Sequence, residues 1–333
     1  MKIVVTGGAG MIGSNLCTAL LAAGHDVVVL DNLWRGSREN LVHTGATRFG
    51  DRLRLVVADL SHPGDWCREL SGVDCVYHLA DIVAGIGYVF SNEGYIFRKN
   101  LQINASVTAA VEMMSVPRYV YVGTACSFPL ELQTGVDAAP LREENQYPAN
   151  PESAYGWSKL MGELDAKYLA QAGETQSVVL VLHNVYGTPC DFDSNRAQVL
   201  PALCARALQA SEQGLRELMV WGDGRQGRAF VHVDDVVVAL TSALSRGHGV
   251  GPIQIGPDQC TAIGEAAQVI AELVGGGLGV KFDVTKPIGD RGRCADYSKA
   301  TRYLDWRPSV RLEDGLESML AWIRAKRRHN VVE

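Results

Sequence analysis

"KIVVTGGAGMIGS", residues 2–14, carries a short β-branched run straight into glycines at 7, 10 and 13. The run reads as a buried strand and the residues after it as the first turn of a helix. At such a junction each glycine has its own task. Gly7 allows the tight turn, Gly10 lets the backbone approach a pyrophosphate, and Gly13 lets the helix lie close on the strand. Met11 and Ile12 stand at the helix N-terminus, where free amides hold an anion. About twenty residues on, the run DVVVL ends on Asp31. A carboxylate there accepts hydrogen bonds from both ribose hydroxyls and repels a 2′-phosphate, so the cofactor expected is NAD rather than NADP. Asn32 follows it, and Arg35 stands near enough to meet a 2′-phosphate, so the preference is not absolute.

The same style repeats outward from this stretch. LRLVV, CVYHL, RYVYV and SVVLVL alternate with helical patterns at 11–23, 64–71, 96–115 and 153–171. Continuous β-branched runs suit strands buried on both faces, and their alternation with helices implies an α/β fold, a Rossmann-type doubly wound parallel sheet. Asp59 and Leu60, after the third run, are placed to meet an adenine, although Asp is equally a helix N-cap residue. After residue 187 the pattern loosens. Turn residues cluster at TPCDFDSN, a helix is expected at 197–210, the short runs LMVW, AFVHV, GPIQIG and VKFDV follow, and helices at 261–274 and 312–327 close the chain. Residues 1–186, with a return segment at about 228–250, are expected to form the NAD-binding domain. Residues 187–227 and 251–333 are expected to form a smaller α/β substrate domain.

Composition excludes several classes. The 333 residues are 47% hydrophobic with a net charge of −6, both signs being scattered, which suits neither a nucleic-acid nor a membrane surface. No apolar run reaches the roughly 18 residues of a membrane span. The first strand begins at Lys2, leaving no room for a signal peptide, so a cytoplasmic location is expected. The eight cysteines form no C-x-x-C pair and sit mostly in apolar segments, which favours reduced thiols and no metal site.

"YGWSK", Tyr155 to Lys159, opens a helical pattern, and its i, i+4 spacing puts phenol and ammonium on one face. A neighbouring ammonium and a nicotinamide cation are expected to lower the phenol pKa and make tyrosinate a base for a sugar hydroxyl. Alone, the pair reads as an exposed helical couple. Together with TGGAGMIGS and Thr124 at the end of the fifth run, the chain resembles the extended short-chain dehydrogenase/reductase (NAD-dependent epimerase/dehydratase) family over essentially its whole length. DNL, ADL, HLA, YGWSK, HNVYG, VWGDGRQGRAFVHVDD and DRGR fall in family order. The resemblance implies a tightly held NAD, touched also by Leu79 and Ala80 of HLA, and a sugar nucleotide across it. It further implies Thr124, Tyr155 and Lys159 as the catalytic set, and a homodimer formed through helices 96–115 and 153–171.

Sugar-nucleotide 4,6-dehydratases carry an acidic pair just after the Thr, where this chain has Ala125 and Cys126, so dehydration is not expected. A Cys there, with HNVYG and RGRCAD, is similar to the GDP-mannose 3,5-epimerases and, more distantly, the GDP-fucose synthases; a GDP-sugar is therefore the favoured substrate. DIVAGIGYVFSN, 81–92, adds a glycine-rich loop, with Gly85, positioned to line a sugar. Transient oxidation at C4 acidifies the hydrogens on C3 and C5, and a Cys126 thiolate can remove one; without this context Cys126 reads as a small buried hydrophobe. By the same resemblance Asn184 contacts the sugar nucleotide and His183 either contacts the sugar or is a satisfied polar group. Arg228, Arg291 and Arg293 grip the diphosphate, as guanidinium groups do bidentately, and Trp221 borders the base.

One position departs from the likeness: Gln198 stands where those enzymes carry a basic second acid/base, and an amide cannot exchange protons usefully near neutrality. Cys190, Asp191 and Asp193 lie nearby as substitutes or as turn residues. The sequence thus predicts an NAD-dependent sugar-nucleotide epimerase working through a 4-keto intermediate. The alternatives are a C4 oxidoreductase or 4-epimerase of a GDP- or UDP-sugar, in which Cys126 only positions the ring, and a non-catalytic NAD-binding regulator. The intact Thr124, Tyr155 and Lys159 speak against the regulator.

Overall fold

The computed structural model describes residues 1–192, 196–286 and 291–330. Seven strands form one all-parallel sheet in the order β3-β2-β1-β4-β5-β6-β11. They are β1 (Lys2–Thr6), β2 (Asp26–Asp31), β3 (Leu53–Val57), β4 (Cys75–His78), β5 (Arg118–Thr124), β6 (Gln176–Leu182) and β11 (Pro252–Ile255). Between them run α1 (Met11–Ala22), α2 (Arg38–His43), α3 (Ile86–Ser91), α4 (Glu93–Met113) and α5 (Ala154–Ala172), with α7 (Val233–Ser242) before β11. Period-2 alternation sends Ile3, Val5, Val27 and Val29 into one apolar core and Val4, Val28, Leu30 and Val76 into the other. Leu16 and Leu20 of α1 with Val236 and Leu240 of α7 cover the first face, and Ile103 and Val107 of α4 with Ala166 and Leu169 of α5 cover the second. The winding reverses between β1 and β4, which opens a crevice beyond their C-terminal ends, where open α/β sheets bind ligands.

The rest of the chain builds a third core. Its elements are β7 (Asn184–Tyr186), α6 (Val199–Glu212), β8 (Glu217–Trp221), β9 (Gly227–Arg228), β10 (Phe230–His232), β12 (Thr261–Ala262), α8 (Ile263–Val274), β13 (Gly279–Asp283) and α10 (Leu312–Asn330), while α9 (Ser298–Leu304) packs on the first core. Leu203, Leu208, Ile270, Leu316 and Ile323 pack α6, α8 and α10 together over the β8/β13 pair.

Three features differ from the sequence reading. GPIQIG, assigned to the smaller part, supplies β11 of the main sheet: Ile253 and Ile255 are fully buried beside β6, and Ala300, Leu304 and Trp306 join the first core. Four residues are too few to disclose that partner. The stretch 64–71 is a tight 3₁₀ segment, Asp65–Leu70, rather than an α-helix. Helices α2, α3 and α9 span six or seven residues, too short for a periodic signal. Among the described residues no helix is long and apolar enough to cross a membrane.

Candidate active site

A cleft of ≈ 1160 Å³ runs along the C-terminal ends of the strands and continues between the sheet and the smaller part. Its volume exceeds the roughly 300–1,000 Å³ of a single small-ligand pocket, so it has room for two ligands side by side.

One half is a glycine cradle. Gly7 has φ +67, and a Cβ there meets the backbone of Leu79 and Ala80 at 2.9 Å. A Cβ on Gly13 lies 2.3 Å from the Gly7 carbonyl oxygen, whereas one on Gly10 meets nothing closer than 3.3 Å and fills the cleft instead. The geometry thus gives Gly7 the turn, Gly13 the close packing and Gly10 an open backbone, and the cradle fits a dinucleotide pyrophosphate at the α1 N-terminus. Met11 and Ile12 line it. Asp31 ends β2 with one oxygen accepting from the Ala9 amide (3.0 Å) and the other from Leu33 (2.8 Å). Burial raises its carboxyl from the usual range, and those two amides oppose the rise. Asn32 lines the cleft and accepts from the Trp34 amide. The Arg35 guanidinium donates to the Val83 carbonyl at 3.1 Å, which directs it along the cleft wall. Asp59 accepts from the Ser61 amide at 2.9 Å, a bond that holds its carboxyl low, and with Leu60, Leu79 and Ala80 it lines the same cleft.

Beneath this half runs a buried polar chain that sequence reasoning missed. Thr6 Oγ1 accepts from the amides of Leu79 and Ala80 and meets His78 Nδ1 at 2.7 Å. His78 Nε2 then meets Asn104 Oδ1 at 3.1 Å, and Asn104 donates to the Ser158 carbonyl at 3.3 Å. Burial, aided by the Lys159 charge, pushes the His78 imidazole down to about 3, so it is neutral. Polar residues inside otherwise apolar strands were the available signal.

Thr124 closes β5 and accepts from the Cys126 amide at 3.2 Å, turning the chain. Ser153 caps α5 by accepting from the Gly156 amide, and the helix then passes very close to β5: a Cβ on Gly156 falls 2.2 Å from the Cys126 carbonyl oxygen. This contact brings Tyr155 and Lys159 to the cleft beside Thr124. Lys159 is 2% exposed, with its ammonium 4.7 Å from the Tyr121 ring centroid. Between phenol and ammonium stands a residue the sequence reading did not single out. Asp81 Oδ2 accepts from the Tyr155 hydroxyl at 3.2 Å and lies 3.4 Å from Lys159 Nζ. The expected lowering of the phenol pKa is therefore corrected for the ligand-free chain: burial, then the Asp81 carboxylate, raises Tyr155 well above the ordinary tyrosine value.

Cys126 is half-buried at the cleft, and Arg293 Nη2 donates to its sulfur at 3.1 Å. Arg293 is itself 3% exposed and also donates to Gln133 Oε1. The expected three-arginine grip on a diphosphate is thereby divided. Arg228 lines the cleft, with Nη1 on the Gly227 carbonyl; Arg293 lines it at Cys126; Arg291 is exposed and outside the lining. Between the two, Gly292 lies close against Gly135: a Cβ on it would sit 2.4 Å from the Gly135 carbonyl oxygen.

His183 and Asn184 also line the cleft. His183 Nε2 meets Gln254 Oε1 at 3.0 Å, and burial, reinforced by Arg293, pushes the ring down to about 4. His183 Nδ1, Asn184 Oδ1 and Gln226 Oε1 are buried without a hydrogen-bond partner among the described residues, and all three residues line the cleft. Buried orphans of this kind are what a polar ligand satisfies. Gln226 and Arg206, whose Nη1 donates to the Met219 carbonyl, were not anticipated.

Gly85 donates to the Arg196 carbonyl at 2.9 Å, and a Cβ on it lies 2.5 Å from the Ala197 oxygen. The 81–92 loop thus rests on the segment that presents Gln198 to the cleft. Cys190 and Asp191 line the same end; burial, with Asp191 adding, pushes the Cys190 thiol up to about 12 and makes it a poor acid/base. Asp193 lies outside the described residues. Trp221 is 48% exposed at the rim.

Residues 3–256 match the model of the NAD dependent epimerase/dehydratase family. The chain belongs to that family. The chain is similar to GDP-mannose 3,5-epimerase 1 of Oryza sativa subsp. japonica, 29% identical over 326 residues, 97% of this chain and 82% of that protein. Among solved structures, UDP-glucose 4-epimerase of Thermotoga maritima with UDP-glucose superposes with a TM-score of 0.86 at 27% identity, covering 98% of this chain and 99% of that one. UDP-glucuronic acid 4-epimerase of Bacillus cereus, in complex with UDP-glucuronic acid and NAD, gives 0.80 at 26%, covering 98% and 100%. The protein is thus an NAD-dependent enzyme of the sugar-nucleotide epimerase/dehydratase class, and the reading as a non-catalytic regulator is set aside.

Proposed function

We propose that the enzyme oxidises a nucleotide hexose, preferentially a GDP-sugar, transiently at C4 and uses Cys126 as the base at an adjacent carbon. The observation that carries this reading is the Arg293 guanidinium on the Cys126 sulfur. It gives the negative charge of a thiolate a hydrogen-bonded partner in a site from which water is partly excluded. NAD, held by Gly7, Gly10, Met11 and Asp31, supplies the hydride acceptor when bound. Tyr155 exchanges the C4 hydroxyl proton, Thr124 orients that hydroxyl, and the unpaired polar atoms of His183, Asn184 and Gln226 take ring hydroxyls or the diphosphate.

Inversion at C3 or C5 requires proton removal on one face and delivery on the other. Gln198 offers no second acid. Stereochemical change is therefore confined to C4 unless Asp191 acts. That point favours a second reading, a 4-epimerase, and it agrees with the likeness to a UDP-glucose 4-epimerase. A homodimer through α4 and α5 goes with the reading; Tyr95 and Tyr168 on those helices are 42% and 59% exposed.

The test is incubation of the purified protein with GDP- and UDP-hexoses, followed by NMR of the recovered sugars. With the incubation run in deuterium oxide, a GDP-hexose recovered with deuterium at C3 or C5 supports the reading, and one altered at C4 without deuterium supports the 4-epimerase. Turnover of UDP-sugars alone, with no exchange, replaces it with the 4-epimerase.

A further inference from the structure

A tyrosinate base and a carboxylate that accepts the same tyrosine's proton are opposed devices, yet both surround Tyr155. We propose that Asp81 is the proton partner of Tyr155: it keeps the phenol protonated at rest and takes the phenol proton as the phenol takes the sugar's. The proposal rests on the reading above, that Tyr155 faces the hydroxyl to be oxidised.

The geometry is direct. Asp81 follows β4 on the loop that lines the cleft, its side chain is 13% exposed, and its Oδ2 is shared by the Tyr155 hydroxyl at 3.2 Å and Lys159 Nζ at 3.4 Å. From α5, Tyr155 and Lys159 face it; from β5, Tyr121 feels its charge; beyond Tyr155 lies the thiol of Cys126. His78, next in line beside Lys159, is neutral. Among the described residues Lys159 is the cation paired with this carboxylate, so its charge is largely matched and it cannot by itself draw the proton off Tyr155.

The step balances as a relay. The C4 hydroxyl proton passes to the Tyr155 oxygen while the phenol proton passes to Asp81 Oδ2. The C4–H electron pair leaves as hydride to the oxidised nicotinamide, and the C4–O bond becomes the carbonyl. Tyr155 is neutral before and after. When hydride returns, both protons retrace their paths. An enzyme that oxidises and re-reduces the same carbon needs to hold one proton between the two halves, and a nearly buried carboxylate behind the phenol holds it away from solvent. Asp81 therefore acts through Tyr155.

Two measurements test this. The first is a tyrosinate absorbance titration of NAD-free protein, with Tyr155→Phe subtracted, which needs no substrate. Tyr155 is expected to ionise only above the ordinary value near 10, and in Asp81→Asn to ionise about tenfold more readily or better, because Lys159 is then unopposed. Ionisation of Tyr155 below the ordinary value in the unaltered protein overturns the proposal even if Asp81→Asn does not fold. The second is the hydride-transfer rate against pH with any sugar nucleotide that is turned over. Asp81→Asn is expected to be slow at neutral pH and to recover as pH rises and tyrosinate forms. An equal loss at every pH makes Asp81 structural, and a faster rate at neutral pH makes it a brake; either result sinks the relay. If no sugar nucleotide reacts, the functional reading fails, while the titration still decides whether Asp81 governs the Tyr155 proton.

Discussion

Alanine at Gly10 and alanine at Gly13 should fail in different ways, although both lie in one motif. At Gly13 the added Cβ falls 2.3 Å from the Gly7 oxygen and 2.5 Å from the Gly8 Cα. Both are backbone atoms of the turn itself, so relief displaces either the turn or α1, and overpacking of this kind costs ~1–3 kcal/mol. At Gly10 the nearest atom is the Gly7 oxygen at 3.3 Å, and the backbone, at φ −78, suits any residue. Stability should stay within ~0.5 kcal/mol, since reduced chain entropy offsets a poorer N-cap. The methyl instead covers the surface a pyrophosphate approaches, and losing one amide contact to a charged group costs ~1.5–3 kcal/mol, or about 10- to 100-fold in Kd. Denaturant melts of NAD-free protein, paired with calorimetric titration of NAD, separate the two. Gly13→Ala should lose stability and NAD together, and Gly10→Ala should lose NAD alone. Equal destabilisation by both, or ordinary NAD affinity in Gly10→Ala, refutes the reasoning.

Glu163 is fully buried on α5 against Gly123 and accepts from Gln146 at 2.6 Å; burial pushes its carboxyl up to about 7 from 4.5. The folded state thus binds the proton more tightly than the unfolded chain, so stability is full below pH 4.5, falls as pH rises through about 7, and loses ~3 kcal/mol in all. Melts across that range should show the fall diminished in Glu163→Gln, and an unchanged profile removes Glu163 as its source. Asp31→Asn should narrow the NAD over NADP preference in binding titrations, because the amide no longer repels a 2′-phosphate, and it should weaken the turn as well, since its single oxygen can accept from only one of the Ala9 and Leu33 amides; an unaltered ratio assigns the selectivity elsewhere. Cys126→Ser should retain C4 oxidation but lose deuterium incorporation at the adjacent carbons, since a serine hydroxyl does not ionise in that site. Persistent incorporation makes Cys126 structural.

What the sequence disclosed was local in the chain. The glycines at 7, 10 and 13 act within one strand-to-helix junction, so their spacing carries their meaning, whereas Asp31 and the Tyr155, Lys159 pair gained theirs from standing in order with the other motifs. What it concealed was long-range. Asp81 meets Tyr155 across 74 residues, and Arg293 reaches Cys126 across 167; no periodicity records such pairs. The motif DRGR supplied its arginines, but that Arg293 is the buried one shows only in its distant partners, Gln133 and Cys126. The same limit hid β11, whose place in the sheet is set by β6, 70 and more positions earlier.

Deuterium placement decides most about the chemistry. The NAD-loaded protein is incubated with a GDP-hexose in deuterium oxide, and every ring carbon of the recovered sugar is read by NMR. Deuterium at C3 or C5 with none at C4 is expected, because the C4 hydrogen leaves and returns as hydride while Cys126 exchanges its proton with solvent. No deuterium at any ring carbon, with or without inversion at C4, removes the thiol from the chemistry and leaves Arg293 on Cys126 as a structural contact.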